Sequence, residues 1–265
     1  MTLRLTILGS GSSGGVPRLG NHWGACDPSN PRNRRLRCAL LVERFSDRGA
    51  TRVLVDSPPD IREQLLAARV AKLDAVLYTH DHADHTHGID DLRVLAHNAK
   101  RRVDVYFDAP TRDSLVARFN YCFMTPQGSS YPPILKAHDL EPGVALTIEG
   151  AGGPIPVLPI LQQHGDATSL GFRFGRAVYS PDISDIPEAS LPHFTDMDVW
   201  IVDALRYVPH PSHFSVKEAC AWVERLKPRR TILTHLHVDL DYAALQRELP
   251  PAIEPAFDGL QITLD

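Results

Sequence analysis

Within Thr79-His80-Asp81-His82-Ala83-Asp84-His85, three imidazoles and the Asp84 carboxylate fall inside six residues, just after a strand-like segment. Such a cluster costs stability on its own. Protonated imidazoles repel one another, and neutral ones in a pocket still need hydrogen-bond partners. A divalent cation removes both costs, because imidazole and carboxylate are the usual ligands of zinc and its neighbours. His80 and His82, at i and i+2, share one side of an extended segment. Asp84 and His85 follow at the turn into a helix expected over residues 88–98. One extended pair and one pair at the turn can address two metals side by side. Four more candidates stand where strand-like runs end: Asp56 after 52–55, His164 after 161–163, Asp182 after 177–180 and His235 after 231–234. Sites gather at such positions because the loops there converge on one sheet edge.

The elements that must position these residues are legible in outline. Apolar, β-branched runs recur at 3–8, 38–43, 52–56, 75–78, 103–107, 145–149, 155–161, 170–174, 199–203 and 231–233. Helical spacing sits between some of them. Residues 60–70 carry Ile61, Leu65 and Leu66 behind Asp60. Ser215-Val216-Lys217-Glu218 is a capping box ahead of Ala221, Trp222 and Leu226, and Asp241 can cap a last helix through Leu249. Several strands come first, helices enter later, and the second half repeats the mixture. That order suits two packed sheets with helices outside better than one doubly wound sheet. The stretch from Asn120 to Lys136 has no clear period and several prolines, and reads as a rim or lid loop or a surface insertion. Gly9-x-Gly11-x-x-Gly14 matches a dinucleotide fingerprint, but Gly15-Val16-Pro17 follows where a helix should open, so a tight turn near the metals is the better reading.

The 265 residues can form one large α/β domain or two small ones, with a core that needs no disulfide staples, and 1–265 is read as a single metallo-hydrolase domain. Cys26, Cys38, Cys122 and Cys220 are scattered with no C-x-x-C pair, against a disulfide framework or a cysteine zinc knuckle. A net charge of −4 gives no help toward nucleic acid. The basic runs 32–37, 100–102 and 225–230 read as solvated surface. No apolar stretch approaches transmembrane length, and the start reads as a first strand rather than a signal peptide. A cytoplasmic protein with no membrane partner is expected.

The order Asp56, His80-x-His82-x-Asp84-His85, His164, Asp182, His235 resembles the metallo-β-lactamase-fold hydrolases. The opening 9–17 resembles their phosphodiesterase branch. The stretch Asp203-Ala204-Leu205-Arg206, with His210-Pro211-Ser212-His213, resembles the phosphoribosyl cyclic phosphodiesterases (PhnP-like). The resemblance implies a four-layer αβ/βα sandwich of two mixed sheets with helices on the outer faces. It implies His80, His82 and His164 on a first metal, Asp84, His85 and His235 on a second, Asp182 between them, and Asp56 behind a ligand imidazole. His237 is an alternate ligand to His235. His213 matches a histidine that reaches into the site just before a helix. Some relatives carry a further zinc on Cys-x-Cys-x-x-Cys. Here those positions are Asn21, Trp23 and Cys26, so a third metal is not expected, although His22 and His237 could join Cys26.

The activity expected is a dinuclear phosphodiesterase acting on a small cyclic or nucleotide-like ester. Two ions about 3.5–4 Å apart would hold a bridging hydroxide, with Asp84 managing its proton. His213 would act as general acid or phosphate clamp. A set of five imidazoles and two carboxylates suits zinc first, and manganese or iron as well. The alternatives are a tRNA 3′-processing endonuclease, whose protruding arm is missing between these motifs, and a thioester or lactone hydrolase of the same fold. Arg206 and His210 are candidates for the rim, and a homodimer is the base-rate expectation.

Overall fold

The computed structural model describes residues 2–264. The first sheet contains β1 (Leu3–Gly9), β2 (Ala39–Ser46), β3 (Gly49–Val55), β4 (Ala75–Leu77), β5 (Val103–Phe107) and β6 (Leu135–Asp139). The second contains β7 (Leu146–Ile148), β8 (Ile155–His164), β9 (Ala167–Phe174), β10 (Ala177–Ser180), β11 (Val199–Asp203), β12 (Arg230–Thr234) and β13 (Ile253–Pro255). The last strand, β14 (Gln261–Leu264), returns to the first sheet beside β1. The orders are β14-β1-β2-β3-β4-β5-β6 and β13-β12-β11-β10-β9-β8-β7. In each sheet an antiparallel half gives way to a parallel half, from β3 to β6 and from β10 to β13.

Period-two alternation distributes the apolar residues among three layers. Val53 and Val55 of β3 and Ala177 and Tyr179 of β10 face the space between the sheets, with Phe172, Phe174 and Ile201. Leu54 faces outward, under α1 (Ile61–Ala67). The same outer face takes α3 (Leu92–Ala99) and α4 (Ala109–Arg118), the latter capped by Asp108. Between α1 and α3 lies the four-residue helix α2 (Ala83–Thr86). Trp200 and Val202 of β11 face the other side, under α6 (Val216–Leu226) and α7 (Tyr242–Glu248). The result is the expected helix–sheet–sheet–helix sandwich.

Local expectations need correction in four places. Asp84 and His85 lie on α2, and the helix expected over 88–98 is a 3₁₀ turn, Ile89–Asp91, followed by α3. The stretch from Asn120 to Lys136 contains α5 (Asn120–Phe123) and the start of β6, leaving 124–134 irregular. Asp60 does not cap α1 through its side chain, because its carboxylate binds Arg37 at 2.9 and 3.0 Å. In the basic run 32–37, Arg35 is only 1% exposed.

Candidate metal centre

Most of the candidate residues meet where the parallel strands end, and His164 joins them from the end of the antiparallel β8. Asp56 follows β3 with φ +66°, a left-handed conformation that Asp tolerates better than most residues. Its carboxylate accepts from Thr79 N (2.9 Å), Thr79 Oγ1 (2.9 Å) and His85 Nδ1 (2.7 Å). The Thr79 hydroxyl has then spent its one proton, so its oxygen accepts from His80 Nδ1 at 2.9 Å. His164, last in β8, donates Nδ1–H to the Ser212 carbonyl at 2.6 Å. Three rings are thus fixed by one nitrogen, and each offers the other as a lone pair.

Those lone pairs converge. His80, His82, His164 and Asp182 form one set with mutually close ligand atoms, and Asp84, His85 and His235 form a second. Asp182 faces both. Its Oδ2 is 3.8 Å from His80 Nε2 and 3.7 Å from His164 Nε2. Its Oδ1 is 2.9 Å from His85 Nε2 and 3.7 Å from His235 Nε2. Asp84 Oδ2 lies 3.6 and 3.8 Å from the same two nitrogens. Most of these separations are too long for hydrogen bonds. They are close to the ~3.4 Å expected between tetrahedral ligands with bonds of about 2.0–2.1 Å. His80 Nε2, His85 Nε2, His235 Nε2 and Asp182 Oδ1 are buried with no hydrogen-bond partner. Buried polar atoms are otherwise nearly always paired, so the donor set fits divalent cations.

The electrostatics agree. Burial holds His80 well below the ordinary imidazole range and His164 at about 4, so both stay neutral and can ligate. At His85 burial again works against the charge, but the Asp182, Asp56 and Asp84 carboxylates outweigh it and raise the ring well above that range, so Nε2 holds a proton that a cation would have to displace to be ligated there. Burial opposes the charge on Asp182 too, yet His235 and His85 hold its carboxyl well below the usual range.

His213 stands beside both sets. Its ring stacks on His235 at 4.7 Å and meets His164 edge-on at 4.8 Å. His213 Nδ1 and Asp203 Oδ2 lie 2.6 Å apart and hold one proton between them, leaving Nε2 as the free atom. Burial lowers the pKa of His213 and raises that of Asp203. Asp203 was not singled out from the sequence for a role. The signal was present, since it ends β11 as Asp56 follows β3, an acid at the carboxyl end of an apolar parallel strand.

His237 lies outside both sets. It follows His235 by two residues, but His235 has φ +58°, so the segment is not extended and the two rings do not share a side. The His237 ring instead meets the Arg18 guanidinium and Asp239. Near Asn21 and Trp23, which bond each other, the Cys26 thiol donates to the Val238 and Leu240 carbonyls. Cys26 and His22 belong to no metal-capable group among the described residues. His210 lies beside His213, with ring centres 5.1 Å apart. On the His80 side a cavity of about 320 Å³ opens between Asp81, Asp108, Thr111, Asp166 and Thr168. The Gly9–Gly14 turn leads into no helix. A Cβ at Gly11 would meet the Arg35 Cβ at 2.9 Å.

The β-lactamase superfamily domain model matches residues 51–236. A solved structure described as a new diphosphatase from the PhnP family is 36% identical, with a TM-score of 0.88 over 100% of this chain and 98% of that one. Human tRNase Z, short form, shares the fold at 17% identity, with a TM-score of 0.66 over 98% of each chain. A Porphyromonas gingivalis protein named octanoyltransferase is 33% identical over 99% of this chain, which spans 52% of that protein's length. The chain is therefore an enzyme of the metallo-β-lactamase-fold hydrolases, and it belongs to the β-lactamase superfamily and, within it, to the PhnP family.

Proposed function

We propose that this metal-dependent hydrolase is a phosphodiesterase acting on a small cyclic or nucleotide-like phosphodiester. The observation that carries the reading is Asp182, whose two oxygens face different imidazole sets, with the Asp203–His213 pair beside both. His80, His82 and His164 would hold one cation, Asp84, His85 and His235 the other, and Asp182 both, with zinc, manganese or iron compatible with this donor set. Bound there, the cations would activate water and neutralise the charge that develops on phosphoryl oxygens.

This chain's own residues do the rest. Asp56 and Thr79 fix the His85 and His80 rings so that no reorganisation is needed on binding. Asp84 would take up the proton of the attacking water. His213, oriented by Asp203 at Nδ1, would take up a second proton on Nε2 from solvent before the reaction and deliver it to the departing alkoxide, a poor leaving group that gains most from general acid help, returning to the neutral ring. The PhnP-family diphosphatase supports a phosphoryl substrate over a thioester or lactone. All of 1–265 is assigned to this one domain, since both sheets contribute to the site. Four free cysteines support a reducing compartment, the cytoplasm, and among the described residues no helix is long and apolar enough to cross a membrane.

The test is turnover of bis(4-nitrophenyl) phosphate and a panel of cyclic and linear nucleotides by zinc- or manganese-loaded protein. Hydrolysis that is abolished by chelation and restored by metal is expected. Cleavage of a thioester or lactone with no phosphodiester turned over would overturn the reading. Preferential cleavage of precursor tRNA would replace it with the endonuclease.

A further inference from the structure

His235 occupies a left-handed conformation, φ +58°, which is strained for a residue with a Cβ. Such a residue persists only where its surroundings over-determine it. Two braces act on the segment that follows. Leu236 N donates to the Ser10 carbonyl (2.8 Å) and Ser12 N to the Leu236 carbonyl (3.3 Å), which fixes one side. The other side rests on Arg35.

The Arg35 side chain is among the largest that are fully buried. Its Nη2 donates to the Leu240 carbonyl (2.8 Å) and to Asn33 Oδ1 (3.3 Å), and its Nη1 to the His237 carbonyl (3.3 Å). No carboxylate is paired with it at salt-bridge distance among the described residues, although Asp258 and Asp241 lie near enough to favour its charge. Burying a guanidinium is expensive, so its neighbours must supply the compensation: the His237 and Leu240 carbonyls and Asn33 Oδ1, the Cys26 sulfur, which accepts from Nη1 at 3.7 Å, and the nearby Asp258 and Asp241 carboxylates. Backbone carbonyls pointed at one fixed cation are held in register by it. Removing the cation would leave them facing each other and Cys26 in a dry pocket.

We infer that Arg35 is a positioning residue for His235: its buried guanidinium clamps the His237–Leu240 backbone and so holds the His235 ring at the second cation position. The inference rests on His235 being a metal ligand. A side-chain cation thereby occupies the loop junction beside Cys26, and no third metal is needed there.

The test compares wild type with Arg35→Met, which keeps an unbranched apolar stem and loses the charge, and Arg35→Lys, which keeps charge and loses the fork. Metal content per chain, the visible spectrum of the cobalt(II) form and melting temperature are read on each. Val223→Ala, in the core under α6, serves as a destabilised control. Two metals in wild type are expected, with at least 10-fold weaker retention of one of them and an altered cobalt spectrum in Arg35→Met. Partial recovery is expected in Arg35→Lys and none of these changes in Val223→Ala. If Arg35→Met fails to fold, Arg35→Lys carries the comparison, with an intermediate loss of one metal expected. Wild-type affinity and spectrum in whichever Arg35 variants fold would overturn the inference and leave the functional reading intact. A third zinc, lost in Cys26→Ser, would also overturn it. No metal in wild type would overturn both.

Discussion

His213 shares a proton with Asp203, and that single contact decides which ring nitrogen is free to act. His213→Ala should therefore retain both metals while kcat falls by about 10²–10⁴-fold. Metal analysis beside steady-state kinetics checks this, and full turnover with intact metal content would remove His213 from the mechanism. Asp203→Asn keeps the shape and loses the carboxylate, so a smaller loss with a displaced pH profile is expected. Asp258 offers an independent test away from the metals. Its carboxylate accepts from Ser10 N, Ser10 Oγ and Leu36 N. Burial nevertheless raises it to about 6. A carboxyl raised on folding binds more protons in the native state, so its contribution to stability is full below about pH 4 and lost as pH rises through about 6. Wild type should lose roughly 2–3 kcal/mol relative to Asp258→Asn across that window, measured by urea unfolding. Parallel curves for the two proteins would contradict it. At this scale the sequence was informative wherever chemistry clusters. The metal candidates were readable because few other roles gather so many imidazoles. Asp203 and Arg35 were not, because an acid at a strand end and a cation in a basic run are ordinary until burial is known.

At the scale of elements, local signals succeeded where they were complete. Ser215 and Glu218 form the reciprocal capping box that their spacing predicts, and Asp241 caps α7 through Ala244 N. Removing the first cap with Ser215→Ala should cost about 1 kcal/mol, read from denaturant midpoints. An unchanged midpoint would show that the tertiary packing of α6 alone fixes its start. The sequence was less clear where tertiary contacts override local preference. Asp60 was drawn from its capping role by Arg37. Helix α4 was missed although Asp108-Ala109-Pro110 is a sound start, because its exposed, charged surface weakens the apolar period. Strands β13 and β14 were missed because each is short and gains its place only by pairing with a distant neighbour.

At the scale of the whole molecule, the two sheets explain why so few residues suffice. Each sheet ends its parallel half on the same edge of the sandwich, so Asp56 and His80 arrive from one sheet and Asp182, Asp203 and His235 from the other. The core between them is continuous, from Leu5 and Val53 to Phe172 and Ile201. The fold class could be read from the order of strands and helices, but the pairing could not, since β14 joins β1 from the opposite end of the chain. Both halves of the molecule would together build one two-cation centre. Anomalous diffraction at the zinc edge from zinc-loaded crystals tests it most directly. Two peaks are expected, one among His80, His82 and His164 and one among Asp84, His85 and His235, with Asp182 touching both. A single peak, or none within reach of Asp182, would contradict it.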